Sequence, residues 1–215
     1  MSIAHHPADD LLVAYAAGTL DQGQRLALAT HLAACPACQG WVGALEGLGG
    51  TLLSALPPSR MTGDALGLLE ARAEEAVPAR PAATGAMLGG DLAGLPPFVR
   101  QLAAGKWRWL APQVQLRHLT LTEPGETRLF LLRAKPGVRL MPHDHTGSEM
   151  TCVLSGGFSH DGLHYGPGDF DWGESGVGHE IAIGEEGECV CLIAMRGKLR
   201  LKGLLGRLIQ PLIAI

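Results

Sequence analysis

Three groups of residues in this chain have side chains and spacings that could do chemistry. The first is His31-Leu-Ala-Ala-Cys35-Pro-Ala-Cys38. Positions four apart share one face of a helix, so His31 and Cys35 can meet at a helix end, and Cys38 returns in the first turn of the next helix. A Cys-x-x-Cys pitch lets two thiolates reach one ion at about 2.3 Å, with an imidazole nitrogen at about 2.0–2.1 Å. One more ligand closes a tetrahedron, and His5 and His6 both stand upstream to supply it. Two other readings compete: a buried pair of free thiols, and a thioredoxin-like redox pair. The redox pair belongs after a strand in a βαβ unit, which this region lacks. Zinc also meets an energetic need, because a core of roughly 55–75 residues is marginal alone and a bound ion supplies on the order of 10 kcal/mol of folding free energy.

The second group is His143-x-His145-x3-Glu149. Residues two apart on a strand face the same way, so both imidazoles project together, and Thr146-Gly147-Ser148 can bend the backbone to let Glu149 rejoin them. A fourth ligand is left to another strand. The third group is Cys189-x-Cys191, again on one strand face and near the upper limit of Cα separation for a disulfide. It admits two readings, packing or an oxidation-sensitive redox pair. Cys152, among Met150, Val153 and Leu154, reads as core.

The elements that must position these groups change character along the chain. Asp9 or Asp10 can cap a short helix through Leu11, Leu12, Tyr15 and Ala16, ended by Gly18. Asp21 and Gln24 form a capping-box pattern that opens a second helix to about Ala34. A third starts near Pro36 and carries Trp41, Val42, Leu45, Leu48, Leu52 and Leu56 at helical spacing. Gly43, Gly47, Gly49 and Gly50 each lower its helicity by roughly 0.8–1 kcal/mol relative to Ala, so packing or a partner must hold it. Asp64 can cap a fourth helix from Ala65 to about Ala76, and the stretch from Pro78 to Pro97 is Ala/Gly/Pro-rich like a linker. From Trp107 onward come short β-type runs, WRWL, VQLRHLTL, TRLFLLRA, MTCVL, ECVCLIA and KLRLKG, separated by Gly and Pro turns. Trp107, Trp109, Phe130 and Trp172 read as core, and His160 and His164, beside the turn Asp161-Gly162, as solvated.

Composition narrows the function classes. Hydrophobic residues make up 47% of the 215, enough for a globular fold. Residues 1–60 hold only Arg25 and Arg60 against Asp9, Asp10, Asp21 and Glu46, and the net charge is −4, so direct DNA binding is excluded for want of clustered cations. No apolar run approaches the roughly 18–20 residues of a membrane span, and the start has neither a basic n-region nor an apolar h-region. The expected compartment is the cytoplasm, where the five cysteines stay reduced and close Cys/His spacings read as metal sites.

The pattern His6 … His31-x3-Cys35-x2-Cys38, within short helices beginning HHPADDLLVAYAAGTL, resembles the zinc-containing anti-sigma domain of the ChrR type. The resemblance extends over essentially the whole chain and selects His6 over His5 as the fourth zinc ligand. It implies a helical domain that binds a group IV, extracytoplasmic-function (ECF) sigma factor and covers the surfaces with which sigma engages polymerase and promoter. Members of that family respond to singlet oxygen and related oxidants.

Gly137-x5-His143-x-His145-x3-Glu149-x6-Gly156 resembles the first cupin motif at every specified position. Gly168-x5-Glu174-x-Gly176-x2-His179-x3-Ile183 resembles the second, which implies His179 as the fourth ligand; Glu174 and Ile183 stand where Pro and Asn are usual. Three His and one Glu suit Zn, Fe, Mn, Ni or Cu, and the resemblance favours zinc. The expectation is therefore an α+β protein of two domains: a small zinc-bound all-α sigma-binding domain at 1–85, a linker at 86–97 and an all-β cupin barrel at 98–215 that senses a signal. It is expected not to be an enzyme. The alternative is a dioxygenase-like cupin metalloenzyme with a zinc-bound helical accessory module, although no motif specifies an open coordination position or a substrate pocket.

Overall fold

The computed structural model describes residues 3–61, 63–74, 95–102, 104–178 and 180–202; most of the expected linker, and His179, lie outside these residues. Helices come first: α1 (Asp9–Ala16), α2 (Gln22–Leu32), α3 (Pro36–Ser54), α4 (Ala65–Glu74) and the single turn α5 (Pro97–Arg100). The capping box forms as its residues dictate, with Asp21 accepting from the Gln24 backbone N–H and the Gln24 side chain accepting from that of Asp21. The first helix differs from expectation. Its N-cap is Ala8, without a side-chain cap, while Asp9 and Asp10 fall in the first turn, where they complement the positive end of the helix dipole. Gly18, at φ 69°, closes it in the left-handed region.

Eleven strands follow among the described residues. The main sheet has the order β1-β2-β3-β10-β5-β8, built from Arg108–Ala111, Val114–Leu119, Thr127–Ala134, Cys189–Arg196, Glu149–Ser155 and Phe170–Gly173. Facing it are a sheet of β7 (Leu163–Tyr165), β6 (Phe158–His160) and β9 (Ile181–Ile183), and the pair β4 (His143–His145) with β11 (Leu199–Leu201). The β6–β7 turn places Asp161 and Gly162 at φ 49° and 79°, as a two-residue hairpin requires.

The main sheet is buried on both faces. Phe130, Leu132, Val153, Cys189, Cys191, Ile193 and Met195 point into the barrel. The residues that alternate with them, Leu129, Leu131, Met150, Cys152, Val190, Leu192 and Ala194, join Leu11, Leu12, Ala27, Leu28, Leu32 and Val42 of the helices in one continuous apolar core. Two-sided burial is why β3 and β10 read as unbroken apolar runs rather than as alternating strands. α2 lies across β10, β5 and β3. Its approach is close at Gly23, where an added Cβ would sit 2.7 Å from Thr127 Cγ2. Hydrogen bonds pin its N-terminal end, from Thr127 Oγ1 to Asp21 Oδ2 at 2.5 Å and from Arg25 to Glu123 at 2.7 Å.

The far half of α3 is different. Leu48, Leu52 and Leu53 are exposed, as are Trp41 nearer its start, Leu56 just beyond its end and Leu66, Leu68 and Leu69 of α4, and a Cβ added to Gly43, Gly47, Gly49 or Gly50 would meet nothing within 4 Å. Trp109, expected in the core, is 66% exposed, because β1 is the edge strand and turns that side chain outward. No helix among the described residues is long and apolar enough to cross a membrane.

Candidate metal centres

The N-terminal cluster forms where two helices meet an extended segment. His31 projects from the last turn of α2, Cys35 is the N-cap of α3 and Cys38 lies in its first turn. His6 comes from the segment that precedes α1. The ligand atoms of all four lie within 4.8 Å of one another. His31 Nε2 is 3.3 Å from Cys38 Sγ, and His6 Nδ1 is 3.4 Å from both Cys35 Sγ and Cys38 Sγ. Bonds of about 2.3 Å to sulfur and about 2.0–2.1 Å to nitrogen at a tetrahedral angle give an S···N edge of about 3.5 Å, so this donor set fits zinc. His5, the other upstream histidine, turns away, stacking on Tyr165 at 4.1 Å between ring centroids and donating through Nε2 to the His164 carbonyl at 3.0 Å.

Electrostatics prepare the cluster for a cation. His31 Nδ1 lies 2.7 Å from the Gly168 carbonyl. A carbonyl can only accept, so Nδ1 carries the proton and Nε2 keeps its lone pair for the metal. Burial lowers the His31 pKa against that hydrogen bond, which keeps the ring neutral. Burial, reinforced by the neighbouring Cys35, pushes the Cys38 thiol up to about 12. The Cys38 thiol therefore resists ionisation until a cation compensates it.

The second cluster lies in the barrel. His143 and His145 sit on β4 with ring centroids 5.1 Å apart and planes at 87°, and Glu149 opens β5, its Oε2 3.6 Å from His145 Nε2. His143 Nδ1 donates to the Met141 carbonyl at 2.8 Å, which fixes the neutral tautomer with its lone pair on Nε2. Burial pushes Glu149 up to about 7, and burial with the neighbouring His143 takes His145 down to about 4. In each case the low dielectric disfavours the charged form; a divalent cation would be the counter-charge for the Glu149 carboxylate and would take the lone pair of a neutral His145. The structure therefore sets His143 beside His145 and His145 beside Glu149; His179 lies outside the described residues.

Cys189 and Cys191 share the inner face of β10 with sulfurs 3.6 Å apart, both buried, and the hydrogen bond between them together with burial holds the Cys191 thiol far above its ordinary range. They border an apolar cavity of about 120 Å³ that ends on His143, Glu149 and Thr151. His160, expected to be solvated, is instead mostly covered, its Nδ1 3.1 Å from Asp171 Oδ2, because β6 and β8 both turn these residues inward. Nothing in the local pattern marked Asp171, or the contact of Gly168 with His31.

The ChrR cupin-like domain family matches residues 96–198, and a zinc-finger family matches residues 6–39. The anti-sigma-E factor ChrR of Cereibacter sphaeroides is 35% identical over 217 residues, covering 100% of both chains. A crystal structure of Rhodobacter sphaeroides SigE in complex with the anti-sigma ChrR superposes with a TM-score of 0.73 at 32% identity, over 90% of this chain and 100% of that one. A full-length match of that identity, with both family segments in the same order around the two clusters described above, shows that the chain belongs to the ChrR family of anti-sigma factors.

Proposed function

We propose that this chain is a cytoplasmic regulator, not an enzyme, which binds an ECF sigma factor and holds it inactive until an oxidative signal such as singlet oxygen arrives. The observation that carries this reading is the apolar stripe of α3 and α4, where Leu48, Leu52, Leu53, Leu56, Leu66 and Leu69 stand in solvent. A patch of that kind marks a helix face awaiting a partner. The acidic balance around it suits a protein partner and not nucleic acid. In this reading residues 1–85 bind sigma, with His6, His31, Cys35 and Cys38 holding zinc that fixes where α3 starts. Residues 98–215 sense the signal, with His143, His145, Glu149 and His179 holding zinc or another divalent transition metal.

Against a catalytic cupin stands the cavity. At about 120 Å³ it is smaller than the roughly 300–1,000 Å³ of small-molecule sites. Cys189 and Cys191 serve the barrel's packing: both are buried, and the Cys191 thiol, held protonated, is a poor nucleophile.

The test is to coexpress the full chain with a group IV sigma factor of its own genome and measure copurification and transcription together. Leu48→Asp combined with Leu52→Asp is expected to lose the complex by at least tenfold in affinity while keeping its zinc and its helical circular dichroism. A complex of unchanged affinity would place the contact elsewhere. In the same assay His143→Ala and Glu149→Ala should hold sigma normally but fail to release it under singlet oxygen; normal release would remove the cupin metal from the sensor.

A further inference from the structure

The N-terminal metal cluster is not surrounded by its own domain. The segment that carries His6 has no helix or strand of its own, and its backbone is held by the barrel. The amides of Ala4 and His5 donate to Asp169 Oδ1 at 2.7 and 3.0 Å, and the Phe170 amide donates to the His5 carbonyl at 3.1 Å. The other Asp169 oxygen accepts from Gly166, closing its own turn at 2.8 Å. The next residue back, Gly168, presents the carbonyl that orients His31, and Phe170 packs edge-on against the His31 ring with centroids 5.8 Å apart. Gly168 is required for this approach as well as for its turn: it sits at φ +90°, and a Cβ there would lie 2.8 Å from Ile3 Cδ1 and 3.4 Å from Ala34 Cβ. Burial raises the Asp169 carboxyl, but its three N–H donors outweigh that and hold it below the ordinary range, so the clasp is anionic at neutral pH.

We infer that residues Gly166 to Phe170 of the barrel complete the N-terminal metal site, with Asp169 the positioning residue for the His6 segment and the Gly168 carbonyl the positioning group for His31. The inference rests on the reading of His6, His31, Cys35 and Cys38 as the ligands of one ion. Outer-shell groups of this kind fix ligand orientation, and their loss lowers metal affinity by about 10–100-fold. Because the two ligands held by the barrel come from separate elements, the barrel sets the angle between them. Metal retention at the helical end therefore depends on the state of the cupin, and by linkage an ion at that end stabilises the docked barrel.

The experiment uses the full chain loaded with Co²⁺. Thiolate-to-cobalt charge transfer in the near ultraviolet reports the cysteine-bearing cluster alone, because the barrel cluster offers only nitrogen and oxygen. Loss of the band is followed after addition of excess EDTA. Asp169→Ala is expected to release cobalt about 10–100-fold faster than the parent chain, with Asp169→Asn, which keeps an acceptor oxygen, between the two. Arg25→Ala, which removes a docking contact to Glu123 far from the His6 segment, should release at the parent rate. If Asp169→Ala retains cobalt like the parent, or if Arg25→Ala speeds release equally, the positioning role is wrong. Absence of the charge-transfer band from the parent chain would instead remove the ligand assignment on which the inference rests.

Discussion

Burial disfavours the charged forms of His31 and Cys38 in one cluster and of His145 and Glu149 in the other. Cys38 illustrates the consequence. With its pKa pushed up to about 12 by burial and by Cys35, the thiol is protonated throughout the neutral range, whereas a metal-bound sulfur is a thiolate. Zinc binding must therefore expel that proton. His31 does not oppose this, because burial lowers its pKa and favours the neutral ring. The sign follows directly: the folded, metal-free site prefers protons, so apparent zinc affinity rises with pH by about tenfold per unit for each proton released. Competition titrations of the full chain against a zinc chelator between pH 6.5 and 8 should show that slope, and calorimetry in buffers of different ionisation enthalpy should count the proton. A flat profile would mean that the Cys38 thiol ionises before the metal arrives.

At the scale of elements, the close seat of α2 on the sheet makes a second prediction. Gly23→Ala improves intrinsic helix propensity by roughly 1 kcal/mol. The new methyl, however, would meet Thr127 Cγ2 at 2.7 Å, Thr127 Cβ at 3.1 Å and Leu121 Cδ1 at 3.3 Å. The side chain it strikes is β-branched and hydrogen-bonded to Asp21, so it cannot simply turn away. Overpacking of this kind costs about 1–3 kcal/mol, and the net effect expected in chemical denaturation is a loss of up to about 2 kcal/mol. A net gain in stability would show that α2 is free to lift off the sheet.

The same elements show what a sequence reveals and what it hides. Asp21 with Gln24, Pro36 and the hairpin Asp161-Gly162 are local signals, and each forms where its chemistry directs. Most of each candidate ligand set is nearly as local: His31, Cys35 and Cys38 lie within two turns of chain, and His143, His145 and Glu149 within one bend, whereas His6 and His179 lie far from them in sequence. By contrast the three-residue strands β4, β6, β7 and β9 are too short to display a period. The Gly168 carbonyl reaches His31 across 137 residues of sequence and the Asp169 carboxylate reaches Ala4 across 165, so no spacing rule could connect them. Ala8 serves as an N-cap against propensity because the segment before it is already fixed by the barrel.

For the whole molecule, the proposed function raises the question of how an event in the barrel could free a partner held, as proposed, on α3 and α4. Moving a bound population from 99% to 1% requires about 5.5 kcal/mol of differential free energy. One hydrogen bond contributes about 0.5–1.5 kcal/mol, which is too little. The shared core has the capacity, since each fully buried Leu contributes about 1.5–3 kcal/mol, and Leu28, Leu129, Leu131 and Leu192 are all essentially inaccessible to solvent within it. The route to α3 is short. Loosening the sheet under α2 shifts His31 at the end of α2, which shares its metal cluster with Cys35 and Cys38 at the start of α3. On this account the docked core is the spring of the switch, so weakening it in advance should lower the threshold for release. Leu28→Ala leaves a cavity at a fully buried site on the sheet-facing side of α2, at a cost of about 2–5 kcal/mol, and does not touch the exposed stripe. The full chain carrying it should still inhibit transcription in unstressed conditions, yet free its sigma factor at a several-fold lower dose of singlet oxygen than the parent. A variant shown to be destabilised by that amount but responding at the parental dose would mean that the signal reaches α3 without loosening the shared core.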